Sequence, residues 1–157
     1  MPPFNHLHPA IVHFPIALLM TAPLLFLIGA LWPAQRRGIH AMALLLLLLG
    51  LAGALLALAT GDVAENLAHR TPALRAALDQ HEEAAEWTVA IFSILAGTWV
   101  LHLGASRFLH RDLSPRLARL LFILWLLVSA MGVGAVLRTG HLGGHMVHDL
   151  HTHGGEP

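Results

Sequence analysis

Four long apolar runs, residues 11–32, 41–59, 87–103 and 120–137, alternate with short segments that hold all of the charge. None of the runs contains Asp, Glu, Lys or Arg. A hydrocarbon core about 30 Å thick is crossed by roughly 20 helical residues. The first two runs have about that length, and flanking residues extend the other two. The spans are therefore expected near residues 11–32, 41–60, 84–103 and 118–137. Buried helices of a large soluble protein are the competing reading. A chain of 157 residues is too short to wrap four such runs in a soluble shell. The pattern predicts an all-α, integral membrane four-helix bundle with up-down-up-down order. It forms a single transmembrane domain over residues 1–157, with short interfacial helices or loops on the outer face and a His-rich tail over residues 139–157.

The breaks between runs carry turn signals. Pro33 and Gly38 bracket a tight connection, so helices 1 and 2 are antiparallel neighbours. Ser114-Pro115 reads as a cap followed by proline at the first helical position. Residues 71–86 open with Thr-Pro and read as helix 3 extended into the interface, or as a short surface helix running into it. Thr60-Gly61 is a candidate break in helix 2, and Pro15 is expected in the first turn of helix 1. Gly140, Gly143 and Gly144 weaken a helix through the start of the tail.

Charge orients the chain. Arg36 and Arg37 lie in the first connection, and Arg107, Arg111, Arg116 and Arg119 in or beside the third. The other side holds Arg70, Arg75 and Arg138 with Asp62, Glu65, Asp79, Glu82, Glu83 and Glu86. The positive-inside rule places the first and third connections in the cytoplasm. The expected location is a bacterial inner membrane, multi-pass, with both termini periplasmic. The first run is read as retained, because MPPFNHLH has no Lys or Arg.

Composition narrows the chemistry. Charged residues make up 11% of the chain, against about a quarter in soluble domains. Cysteine is absent, which removes disulfides, thiolate chemistry, c-type haem attachment and Fe–S ligation. No basic stripe suggests nucleic acid. No HExxH, Walker or nucleophile-elbow motif is present, so a stand-alone enzyme is not expected. A transport path is not evident, because the runs carry no charge at mid-membrane.

Histidine is the conspicuous polar residue, with thirteen in the chain. An even number of spans brings all of them except His40, His102 and His110 to the outer side. His13 lies two residues into the first run, where an imidazole needs a partner. It could donate to a carbonyl opened by Pro15, ligate a metal or haem iron, or serve a quinone or proton relay. His8 precedes Pro9 and reads as an interfacial cap or a further ligand. His81 stands beside Glu82 and Glu83, with the small residues Ala84, Ala85 and Thr88 nearby. Phe14, Trp87 and Phe92 could border a flat ring. Asp62, Glu65 and His69 have one-face helical spacing and could support a ligating histidine. His141, His145 and His148 would form one stripe if helical. On the inner side, His40 and His102 read as solvated interfacial rings; the 21 residues from His81 to His102, about 31 Å of helix rise, would alternatively present a ligand at each membrane face, as paired haems need.

The segment HPAIVHFPIALL at residues 8–19, His81 before the third run, and TGHLGGHMVHDLH at residues 139–151 together resemble a family of bacterial membrane proteins, domain of unknown function 2231. The resemblance runs from His8 to about Gly154. Gly143, Gly144, Met146 and Val147 match its closing segment, while His148 stands where the family commonly has Tyr. It implies a four-span fold. Some members resemble proteins joined to, or encoded near, cytochrome-like domains, which implies a redox role.

Three readings follow. The first is a haem b protein taking part in electron transfer, with His13, His81, His8 and His141 as candidate cofactor ligands. Helices 1 and 3 would then bring His13 and His81 together at their outer ends, with Arg70, Arg75 or Arg138 near the haem propionates. The second is a zinc or copper site at the periplasmic rim, from His13, His81, His141, His145 and Glu82, since imidazole and carboxylate suit these ions. The third is a structural or assembly subunit of a larger membrane complex. Membrane lipid is the expected surrounding. A cytochrome or other respiratory-chain protein, or a second copy of the chain, is the expected kind of partner.

Overall fold

The computed structural model describes residues 8–67, 72–108 and 114–146. They form four helices: α1 (His8–Leu31), α2 (Arg36–Leu67), α3 (Pro72–Phe108) and α4 (Pro115–His145). Each contains a stretch long and apolar enough to cross a membrane. α2 has 32 residues and α3 has 37. At 1.5 Å per residue these reach about 48 and 55 Å, so both project beyond the hydrocarbon. Leu24, Leu31, Leu101, Leu120 and Leu127 are among many large apolar side chains left exposed, as lipid-facing positions are.

α1 packs along α2 and α3 along α4, and the two hairpins meet through α2 with α3 and α1 with α4. Consecutive helices are thus neighbours, and α1 and α3 stand on a diagonal. Lipid supplies no hydrophobic drive between apolar helices, so close packing must hold them together. Small residues provide it. A side chain at Gly50 would run into Leu19, and one at Gly132 into Phe92. Phe26, Phe92, Leu19 and Leu47 are fully buried along these seams.

Several local expectations hold and others change. Ser114 accepts from Leu117 N at 3.4 Å, and Pro115 opens α4 as the dipeptide predicts. α3 is continuous from Pro72, so no separate surface helix precedes it. α2 passes through Thr60-Gly61 without a break; the Thr60 hydroxyl folds back onto the carbonyls of Leu56 and Ala57. α1 begins at His8, which makes Pro15 an interior proline along with Pro23. α4 runs through Gly140, Gly143 and Gly144, with the ring of His81 packed against Gly143.

Candidate functional site

The bundle has two ends of different chemistry. One carries His8, His13, His81, His141 and His145; the other carries Arg36, Arg37, Arg116 and Arg119 with His40 and His102. At each end an imidazole is fixed between helices.

At the histidine-rich end, His81 of α3 lies half-buried against α4. Its Nδ1 is 3.1 Å from the carbonyl oxygen of Thr139. A carbonyl only accepts, so Nδ1 carries the proton, and in the neutral ring the lone pair belongs to Nε2. The ring sits over Gly143, where a Cβ would come within 3.2 Å of Cε1. Two turns further along α3, Thr88 is buried and its hydroxyl meets that of Thr139 at 3.1 Å. Thr139 also bonds back to Ala135 O at 2.9 Å, so the acceptor stands on an ordered turn. Backbone-bonded Nδ1 with the lone pair on Nε2 is the arrangement that orients a metal-ligating histidine.

The other expected ligands are distributed around this ring. His13 is exposed on α1. It precedes Phe14 and Pro15, which pack against Gly53 of α2. Helices α1 and α3 stand on a diagonal, with α2 and α4 each packed against both, and their direct ring contact, Phe26 with Trp99, lies at the arginine-rich end. His141 and His145 are exposed on α4. Each lies two residues beyond Thr139 or Gly143, about 200° around the helix from the face that receives His81. Glu82 is exposed beside His81. His8 begins α1; its side chain, those of Asp62 and Glu65, and all of His69 and His148 lie outside the described residues. Ala84 and Thr88, expected to leave volume for a flat ring, are buried. Phe14 and Trp87 are exposed, and Phe92 is buried on Gly132. Among the described residues no three His, Asp or Glu side chains gather as a metal site.

The arginine-rich end holds what the sequence reading passed over. His40 of α2 is half-buried, not a solvated ring, and its Nε2 is 3.1 Å from the carbonyl oxygen of Phe26 on α1. It occupies the space beside Gly29, where a Cβ would lie only 2.7 Å from Nε2. The ring packs edge-on to Trp99 of α3 at 5.2 Å and tilted on Phe26 at 5.3 Å. Phe26 in turn meets Trp99 and Trp125 at 4.2 Å each, so aromatic side chains from all four helices converge here. Trp125 donates to Leu95 O at 3.4 Å. Among the described residues, Nε1 of Trp99 is the buried side-chain polar atom without a hydrogen-bond partner. His102 is exposed, 5.8 Å from Trp99 between ring centres. Beside this cluster is a cavity of about 770 Å³, walled by Trp99, Trp125 and Phe122, with His40, Arg36 and Arg119 on its lining. The available signal was the Trp99–His102 spacing, which puts an indole and an imidazole on one helical face next to a connection with two arginines.

The four helices and their lipid-facing leucines define a multi-pass α-helical membrane protein. Within that class the chain belongs to the predicted membrane proteins of domain of unknown function 2231, whose family model matches residues 5–155. No curated protein and no solved structure matches it. The contact of His81 with Thr139 and Gly143 joins two of the segments that carry the family resemblance.

Proposed function

We propose that this protein binds a redox cofactor, haem b, at the histidine-rich end and takes part in electron transfer. The observation that carries the reading is the ring of His81, held by Nδ1–H to Thr139 O over Gly143. Its nitrogen pattern is that of an axial ligand. Haem iron brings four nitrogens of its own, so one or two imidazoles suffice, whereas a closed zinc site needs four protein ligands. His13 and the tail histidines are the candidates for the second axial bond. When bound, haem supplies one-electron redox chemistry; the chain's part is to present an oriented imidazole in a low-dielectric setting. Buried packing at Ala84 and Thr88 directs any planar group to the outer side of His81, not deeper along the α3–α4 seam.

The arginine bias favours an inner membrane with the Arg36 end cytoplasmic and His81 periplasmic. Reporter fusions after Arg36 and Asp112 are expected to read cytoplasmic, and one after Arg75 periplasmic; the reverse would invert the orientation. For the cofactor, protein made with ample haem is expected to show a Soret band and a reduced-minus-oxidised difference spectrum. His81→Ala is expected to lose both while remaining in the membrane. A wild-type sample without Soret absorption would eliminate haem.

A second reading has its own observation. His141 and His145 are exposed at i, i+4 on one face of α4, the spacing with which two imidazoles grip one divalent ion. Stoichiometric zinc or copper that disappears in His141→Ala would favour that reading.

A further inference from the structure

We propose that the groove between α3 and α4 at the arginine-rich end binds one anionic phospholipid, its phosphate at the arginines and an acyl chain along the groove. The site is at the opposite end of the bundle from His81 and does not depend on haem.

The groove runs from the membrane interface to the midplane and stops there. Along α3 its lining extends from His102 to Ile94, and along α4 from Ala118 to Val128. At 1.5 Å per residue these are about 12 and 15 Å. Half of a hydrocarbon core about 30 Å thick is about 15 Å, the depth of one leaflet. Ile94 and Val128 stand near the centres of the apolar runs 87–103 and 120–137, so the inner end of the groove is at mid-membrane. Beyond Val128 the seam is shut: Phe92 packs on Gly132, where an added Cβ would come 3.0 Å from its ring. A partner helix seated in the groove would run past this closure. An acyl chain that enters from one leaflet needs only the open half.

The lining changes character along that length. Arg36, Arg119 and His102 are at the interface end, and Ile94, Leu124 and Val128 at the deep end. Ile94, Leu121 and Leu124 are exposed, so the groove is open to lipid along its side. Arg36 bonds back to Ala30 O at 3.4 Å, which holds its side chain at the last turn of α1. That bond uses one of several N–H groups, and the planar fork suits phosphate oxygens. Among the described residues this end holds no Asp or Glu to offset Arg36 and Arg119. Basic pockets between membrane helices attract anionic headgroups in this way. A cationic rim above an apolar shaft of one-leaflet depth is complementary to an anionic phospholipid. A soluble phosphate would use the rim and leave the shaft empty.

The test is native mass spectrometry of the full chain in neutral detergent, titrated with dioleoyl phosphatidylglycerol and, separately, dioleoyl phosphatidylcholine. Retention of one phosphatidylglycerol per chain in preference to phosphatidylcholine is expected, in haem-loaded and haem-free samples alike. Arg119→Gln is expected to weaken retention about fivefold, the worth of one arginine beside an anionic lipid, and the double variant with Arg36→Gln about twenty-five-fold. Arg37→Gln is the control, because Arg37 is exposed at the same end but off the groove lining, and it is expected to bind as the wild type does. Thr98→Phe places a ring in the shaft from an exposed position and is expected to lose the lipid with every arginine in place and an unchanged unfolding midpoint. Should that variant be destabilised, the exposed arginines still carry the test. Equal retention of both lipids by the wild type would overturn the proposal, as would an equal loss in Arg37→Gln and Arg119→Gln. Displacement of the lipid by glycerol phosphate would overturn it and assign the rim to a soluble anion. A chain dimer that Thr98→Phe dissociates would overturn it and assign the groove to a second copy.

Discussion

His81 and His40 solve one structural problem with opposite nitrogens. Each bridges two helices, lies over a glycine of its neighbour and donates to a backbone carbonyl at 3.1 Å. His81 spends Nδ1–H and keeps its lone pair on Nε2, the outer nitrogen of the ring. His40 spends Nε2–H and keeps the lone pair on Nδ1, close to its own backbone. A metal approaches Nε2 readily, while Nδ1 is better suited to accept one hydrogen bond in a confined space. Burial of a histidine therefore does not define its role.

The two ends also differ in tightness, and substitutions can break the comparison in order of size. Gly29→Ala should be the most damaging. Its Cβ would meet the His40 imidazole at 2.7 Å from Nε2 and the Ile39 side chain at 3.2 Å, and the ring is held by its bond to Phe26 O. Overpacking of this kind costs about 2–3 kcal/mol, read as a shift in denaturant unfolding of the reconstituted protein. His40→Ala comes next at about 2 kcal/mol, because it removes ring contacts with Phe26 and Trp99 along with the bond to Phe26 O. It should leave any Soret band intact, whereas His81→Ala should abolish the band at a smaller loss of stability. The opposite pairing of effects would reverse the roles assigned to the two ends.

Gly143→Ala is expected to cost about 1 kcal/mol or less, since its Cβ would lie 3.2 Å from His81 Cε1 and the last turn of α4 can yield a few tenths of an ångström. A loss equal to that of Gly29→Ala would show that the histidine-rich end is packed as tightly as the other. Thr139→Val should have the smallest effect, about 0.6 kcal/mol, the mean for an interhelical hydrogen bond in a membrane. It removes the hydroxyl pair with Thr88 but retains the backbone carbonyl that holds His81. Any Soret band should therefore persist. Its loss would mean that the hydroxyl, not the carbonyl, positions the ring.

Span number and the start of α4 were legible in the chain alone. The cost of placing a charge in hydrocarbon belongs to each residue separately, so four charge-free runs announce four helices whatever their neighbours are. Ser114-Pro115 is similarly self-contained, because cap and first turn are adjacent in sequence. Continuity through Thr60-Gly61 and through Gly140, Gly143 and Gly144 was not legible. Intrinsic preference argues for breaks there, yet both helices run through, at Gly143 with the ring of His81 packed over the position. The histidine-rich end could be recognised from residue types, since an even number of spans gathers those positions on one side. Which ring is fixed, and by which nitrogen, depends on a carbonyl 58 residues away for His81 and 14 residues away for His40. Those pairings exist only once α3 lies on α4 and α2 on α1. The unmet indole of Trp99 arises likewise, from the convergence of Phe26, His40 and Trp125 around it. Transfer into the bilayer is a property of single residues, which sequence records; hydrogen-bond assignment is a property of pairs, which only the packed helices decide.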